Sequence, residues 1–375
     1  MRAAITSVSA VMIAILFVQT ANGLQTNLLG IRAGLEAFPY WAIGIVMAFY
    51  YVGYTLAPLT SRAIIGRFGH VNTMWVGTVF AALAIVAHAL LVTPYAWAAL
   101  RFLSGFALSS LYVGAESWIH DRVGNDKRGR VFSVYMVVQM IALTMAQVLF
   151  SLGDPRTAGP FLLAGGLFLV AAVPVALAHR TAPHRAPPEP LDIWKLFRAS
   201  PLGAIATVLA GVTWSIVFTF GPLYAQKSGF DLTQVSLFMA LAMIGGSVVQ
   251  FPMGWLSDAI GRRVTIGLIS VAGVLVSLFG LWANGEGEIA KYAASLLTGG
   301  LVFPMYAISA AHTNDRVAPQ SRVAAAAGLI LLFGLGSIFG PLIIGGAISG
   351  YGAGGYYMVL AIGSALSLAA AVATR

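Results

Sequence analysis

Arg101 and Glu116 are the two ionisable side chains that fall inside one apolar run, which begins near Pro94. A charge at the centre of a bilayer costs at least about 2.5–3.5 kcal/mol, so an ionisable group there is a functional hypothesis by default. On a helix their fifteen-residue separation is about 22 Å, and their azimuths differ by about 60°. They share one broad face but are too far apart to pair. Arg101 is readable as a cation that orients an anionic group or poises a proton relay. The functional reading is favoured; the alternatives are a structural arginine bonded to backbone carbonyls or polar side chains of a neighbouring helix, or one snorkelling to the outer interface. Glu116 is either a proton-binding carboxylate or, as favoured here, half of a gate paired with Arg67 and with Arg128 or Arg130.

The elements that position these residues follow from composition. Of 375 residues 59% are hydrophobic and 9% charged, against roughly a quarter charged in a soluble domain. Spanning a bilayer takes about 20 apolar residues per helix, and such runs fill the chain. The predicted fold is all-α and membrane-embedded, with spans near 7–28, 41–61, 71–92, 95–118, 131–152 and 158–178. A second set lies near 202–224, 233–256, 264–283, 289–311, 323–346 and 355–373. This divides the chain into a six-helix bundle at 1–178, a proline- and charge-rich cytoplasmic linker at 179–201, and a second bundle at 202–375. The segment after Arg2 reads as the first helix rather than a signal peptide, because no small-residue cleavage site follows.

Sixteen of the 21 Lys and Arg residues fall at the termini, in the linker and in the loops on the linker's side, and four on the other side. That asymmetry places both termini and the linker in the cytoplasm. It also disposes of the net charge of +9 as a sign of nucleic-acid binding. The stretch AESWIHDRVGNDKRGR, 115–130, gathers seven charges in sixteen positions at one such loop. The loop repeats: Tyr112, Asp121, Arg122 and Arg128 are matched, 194 residues later, by Tyr306, Asp315, Arg316 and Arg322. At the same offset Glu116 becomes Ala310 and Arg130 becomes Ala324, so any acidic proton site lies in the first half alone. Two repeats of one orientation are the plan of a secondary transporter with its path between them.

The stretch GWLSDAIGRRV, 254–264, resembles the loop signature of the major facilitator superfamily at Gly254, Asp258, Gly261, Arg262 and Arg263, with Ala259 in place of an arginine. The first-half copy, SRAIIGRFGHV, keeps Arg67 and Gly69 but has Gly66 where the aspartate is expected. Arg101 and Gly105 match the Arg-x-x-x-Gly of the family's fourth helix. The stretch RF…G……ES…RGR…YM, 101–136, is similar to the YcaD-like branch of bacterial inner-membrane facilitators, with GSIFGP at 336–341 adding to the likeness. The resemblance implies two six-helix bundles, alternating access and poorly defined substrates. It also implies a cytoplasmic gate at Arg67, Asp121, Arg122, Arg128, Arg130, Asp258, Arg262, Arg263, Asp315, Arg316 and Arg322.

Polar and aromatic residues deeper in the spans are cavity candidates: Gln19, Asn22, Tyr50, Tyr54, Tyr112, Gln139, Trp214 and Tyr306. Tyr50 and Tyr54 are four apart and share a helix face. Packing or interfacial anchoring is the alternative for each. Gln147 and Gln250 are expected to serve helix packing, and His88 and His312 to lie at the membrane interface rather than in a relay. No phosphate loop, metal-ligand cluster or nucleophile constellation is present, and cysteine is absent, so the expectation is neither an enzyme nor a cofactor protein. The expected function is proton-coupled movement of a small, anionic solute across the bacterial inner membrane by a monomer. Efflux of amphipathic drugs, and a non-transporting assembly or sensor role, stand as alternatives.

Overall fold

A computed structural model describes the backbone at 2–122, 125–177, 193–318 and 322–374. It also describes the side chains there other than 2–7, 62, 117, 120–122, 125–130, 132–133, 195 and 322–324. The order of helices is α1 (Arg2–Leu35), α2 (Tyr40–Leu90), α3 (Pro94–Arg122), α4 (Asn125–Ser151), α5 (Gly159–Leu177), α6 (Ile193–Ala199) and α7 (Pro201–Lys227). There follow α8 (Leu232–Ile260), α9 (Arg262–Ala283), α10 (Glu288–Asn314), α11 (Arg322–Tyr351) and α12 (Gly355–Ala373). No strand occurs among the described residues. Eleven helical segments among them are long and apolar enough to cross a membrane; the last, Ala325–Ala373, takes in both α11 and α12.

Packing divides the chain into two units, one of residues 1–37 and 49–188, the other of 38–48 and 189–375. The first turns of α2 therefore group with the second unit: a β-carbon on Gly345 would press the Tyr40 carbonyl oxygen, and Lys227 lies 4.8 Å from the Tyr40 ring centroid. Of the linker, 179–192 lies outside the described residues. Its end is the short helix α6, whose Leu196 is buried with Ala204, Ala325, Leu329 and Leu332.

Helix ends follow local chemistry. Asp231 caps α8 by accepting from the Gln234 backbone N–H at 2.8 Å, and the Gln234 side chain accepts from the Asp231 N–H at 3.0 Å, a reciprocal capping box. Helix α2 breaks at Gly69 (φ 83°), and α8 gives way to α9 at Gly261 (φ 91°). Side chains avoid this left-handed region and glycine does not, which is why the two loop signatures keep these glycines. Large apolar side chains such as Leu83, Phe251, Trp255 and Leu275 are exposed, as suits a surface that lipid covers.

Close helix crossings fix each unit. In the first, β-carbons placed on Gly53 and Gly105 would overlap the carbonyl oxygens of Phe102 and Tyr50, so α2 and α3 meet backbone to backbone. In the second, Gly245 and Gly299 stand in the same way against Leu296 and Ala242, joining α8 to α10. Gly336 and Gly340 of the GSIFGP stretch press on the Val208 and Val212 carbonyls of α7, a packing role. Asn27 donates to Gln147 across α1 and α4 at 2.8 Å, whereas Gln250 is exposed.

Because the Gly105 contact is with backbone, which cannot swing aside, Gly105→Ala should lower stability by about 1–3 kcal/mol, read as an earlier melting transition in detergent. Gly66→Ala, with no atom within 4 Å of the added carbon, should be neutral or slightly stabilising.

Candidate functional site

The α2–α3 crossing places Tyr50 one turn from Arg101. The guanidinium carbon sits 4.2 Å from the Tyr50 ring centroid, and Arg101 is fully buried. None of its three side-chain nitrogens has a hydrogen-bond partner among the described residues. A desolvated cation–π contact gives about 2 kcal/mol, while removing a charge from water costs several kcal/mol. The ring therefore offsets only part of the cost, and the N–H edges are left open to an acceptor. That excludes the reading of Arg101 as an arginine tied to carbonyls, and complete burial excludes snorkelling.

From Arg101 a row of phenols runs along the unit. Tyr50 and Tyr54 have ring centroids 5.9 Å apart, and Tyr54 and Tyr112 are 6.4 Å apart. Tyr112 donates to Gln19 Oε1, and the Asn22 side chain lies beside the Tyr50 hydroxyl. Helix α1 thus lays its three-residue spaced amides along the phenols. At the far end Tyr135 donates to Glu116 Oε1 at 3.3 Å. Six sequence candidates of the first half, with Glu116, are therefore brought into one row: Arg101, Tyr50, Tyr54, Tyr112, Gln19 and Asn22.

Two expectations fail here. Glu116 does not pair with Arg67; Arg67 is exposed over the Phe68 ring at 5.5 Å and forms no ion pair among the described residues. Gln139 stays outside the row, reaching only the sulfur of Met136 on its own helix at 3.9 Å. The side chains of Asp121, Arg122, Arg128, Arg130 and Arg322 lie outside the described residues.

Sequence reasoning missed Tyr135, buried on α4, and Gln25, fully buried on α1 with neither polar atom engaged. Gln25 lies three residues after Asn22, and that spacing could have found it. His88, expected at an interface, is instead buried. Its Nδ1 is 2.6 Å from the Ala84 carbonyl and its Nε2 has no partner, and it lies within electrostatic reach of Arg101.

The second unit repeats the crossing without its chemistry. Ser295 occupies the place of Arg101, one turn before Gly299, and donates to the Phe238 carbonyl at 2.6 Å; Ala242 takes the role of Tyr50. Trp214 here joins an aromatic cluster, 4.4 Å from Phe218 and 4.7 Å from Phe303 between centroids, with Tyr306 5.0 Å from Phe333.

At the helix ends Arg262 bridges Asp258 of α8 at 3.0 Å and Asp315 at the end of α10 at 2.7 Å. Arg263 donates to the carbonyls of Ala371 and Val372 at 2.8 and 3.1 Å, holding the last turn of α12. Arg316 rests on His312 at 3.0 Å. Among the described residues no group of three His, Asp or Glu could hold a metal ion.

The family model described as Major Facilitator Superfamily matches residues 3–331 and 203–375. An uncharacterized MFS-type transporter of Enterobacter sp. (strain 638) is 25% identical over 329 residues, 87% of this chain and 85% of its own length. The MFS-type transporter YcaD of Escherichia fergusonii is 22% identical over the same shares. Among solved structures, the nucleoside transporter NupG superposes with a TM-score of 0.82 at 18% identity, over 98% of this chain and 98% of that one. A bacterial homologue of the human lysosomal transporter Spinster, inward-facing and unoccupied, gives 0.75 at 14% identity, over 98% and 94%. These two likenesses concern the fold.

A buried cation without an acceptor makes the ligand-free protein less stable than an apolar substitute would. Arg101→Met should therefore raise the melting transition, by about 1–4 kcal/mol in stability. A structural arginine would give the opposite sign.

Proposed function

We propose a function from one premise: this chain belongs to the major facilitator superfamily. It is a secondary active transporter of the bacterial inner membrane, with both termini in the cytoplasm. Twelve spans in two six-helix bundles alternate access to a central path, the 49-residue segment Ala325–Ala373 counting as two. The cargo is a small organic anion and the coupling ion is the proton. One observation carries the substrate reading: Arg101 is buried, charged and without an acceptor. An anionic group supplies what the fold withholds.

Glu116 serves the coupling. Among the described residues its partner is the Tyr135 hydroxyl rather than a cation, an arrangement that suits a carboxyl group that gains and loses a proton. The phenol row connects it to Arg101. The ion pairs of Arg262 with Asp258 and Asp315 hold helix ends of the second bundle together, the part assigned to a cytoplasmic gate.

The aromatic cluster around Trp214 favours a second reading, efflux of flat amphipathic compounds, for which stacking surfaces suffice. Proteoliposomes separate the two. On the first reading, Arg101→Gln lowers uptake of organic anions at least about tenfold, the loss of one charge-assisted hydrogen bond. Competition by unrelated hydrophobic cations, with Arg101→Gln harmless, would establish the second. Glu116→Gln should abolish uptake driven by a proton gradient while leaving substrate exchange intact. Loss of both would return Glu116 to the gate.

A further inference from the structure

The unpartnered groups around Arg101 are of two kinds. Arg101 offers donors only, five N–H bonds in a planar fork, with one face covered by the Tyr50 ring. In-plane approach is left, the geometry a carboxylate matches with two parallel hydrogen bonds. Arg101 is also the one buried Lys, Arg, Asp or Glu among the described residues. A single positive charge balances a monoanion and not a phosphate, which carries about −1.5 to −2.

Beside this donor lies a bare acceptor. Asn22 lies beside the Tyr50 hydroxyl, and its Oδ1 is buried with no hydrogen-bond partner among the described residues. A carboxylate alone would satisfy Arg101 and leave Asn22 Oδ1 stranded, at the cost of an unmade hydrogen bond, about 1–3 kcal/mol. A ligand that also carries a neutral O–H donor satisfies both. An ammonium donor would add a second positive charge with no described carboxylate beside Asn22 to meet it. The guanidinium lies over the Tyr50 ring and Asn22 lies beside the Tyr50 hydroxyl, so the two unpartnered groups flank one tyrosine.

We propose that the site selects a small hydroxycarboxylate, its carboxylate on the Arg101 guanidinium and its hydroxyl donating to Asn22 Oδ1. This rests on the reading of Arg101 as the anion-binding group, and it assigns Asn22 as the specificity residue.

The test is ligand-induced thermal stabilisation and calorimetric binding with the purified full chain. The probes are two matched triads: lactate, propionate and lactamide; mandelate, phenylacetate and mandelamide. In the wild type at least one hydroxy acid should bind about tenfold tighter than its deoxy acid, with the amide silent. Asn22→Leu should erase that preference and keep acid binding. Tyr50→Phe, which retains the ring, should keep the preference. Arg101→Gln should lose both acids while melting cooperatively. Equal binding of hydroxy and deoxy acids by the wild type overturns the role of Asn22 and leaves the anion reading standing. Binding of the amides without the acids overturns the anion reading itself. Silence of both triads overturns the hydroxycarboxylate assignment. A preference that survives Asn22→Leu removes Asn22 from the site.

Discussion

Backbone contact between α2 and α3 governs the first unit. With Gly53 and Gly105 facing the Phe102 and Tyr50 carbonyls, the helices approach more closely than any side chain would allow, and the residues flanking the contact cannot choose their neighbours. Tyr50 is carried under Arg101, and Tyr54, one turn on, is carried toward Tyr112. Lipid offers no hydrophobic drive between helices, so such packing has to hold them together. The same crossing that holds the helices aims the chemistry.

The second unit shows what the crossing is worth alone. Gly245 and Gly299 reproduce it, yet Ser295 and Ala242 stand where the arginine and tyrosine would be. Ser295 is satisfied by the Phe238 carbonyl; Arg101 is satisfied by no acceptor among the described residues. Identical helix packing therefore does not require a buried cation. The cost of Arg101, several kcal/mol against about 2 returned by the ring, is borne in one unit only. Helix packing alone does not account for that; the proposed recognition of an anion would.

Much of this was legible in the sequence for stated reasons. Composition and hydropathy revealed the membrane helices because bilayer thickness leaves few alternatives. The 194-residue repeat is visible at the charged loops, whereas the glycine pairs that repeat the packing, Gly105 of the Arg-x-x-x-Gly motif among them, carry no charge pattern to mark them. Arg101 and the tyrosines were found because ionisable and phenolic groups are rare in apolar runs. Azimuths on neighbouring helices could not be had from spacing on one helix. Hence Tyr135, on α4, was missed as the partner of Glu116, and Arg67 was paired with a carboxylate it does not meet. Gln25 was passed over because a buried amide without partners looks, in sequence, like one that packs.

The ion pairs of the second unit complete the contrast between rigid and yielding contacts. Arg262 reaches Asp258 and Asp315 where both carboxylates remain more than half exposed, and exposed pairs contribute roughly 0–1 kcal/mol each. They orient the ends of α8, α9 and α10 without locking them. The glycine crossings lie deeper and have no such latitude, since backbone carbonyls cannot rotate out of the way. Strong contacts thus lie within helix pairs, and weak, charge-based ones at helix ends. A carrier needs that distribution: helix pairs that move as bodies, and end contacts that a modest difference in ligand or proton affinity can make or break.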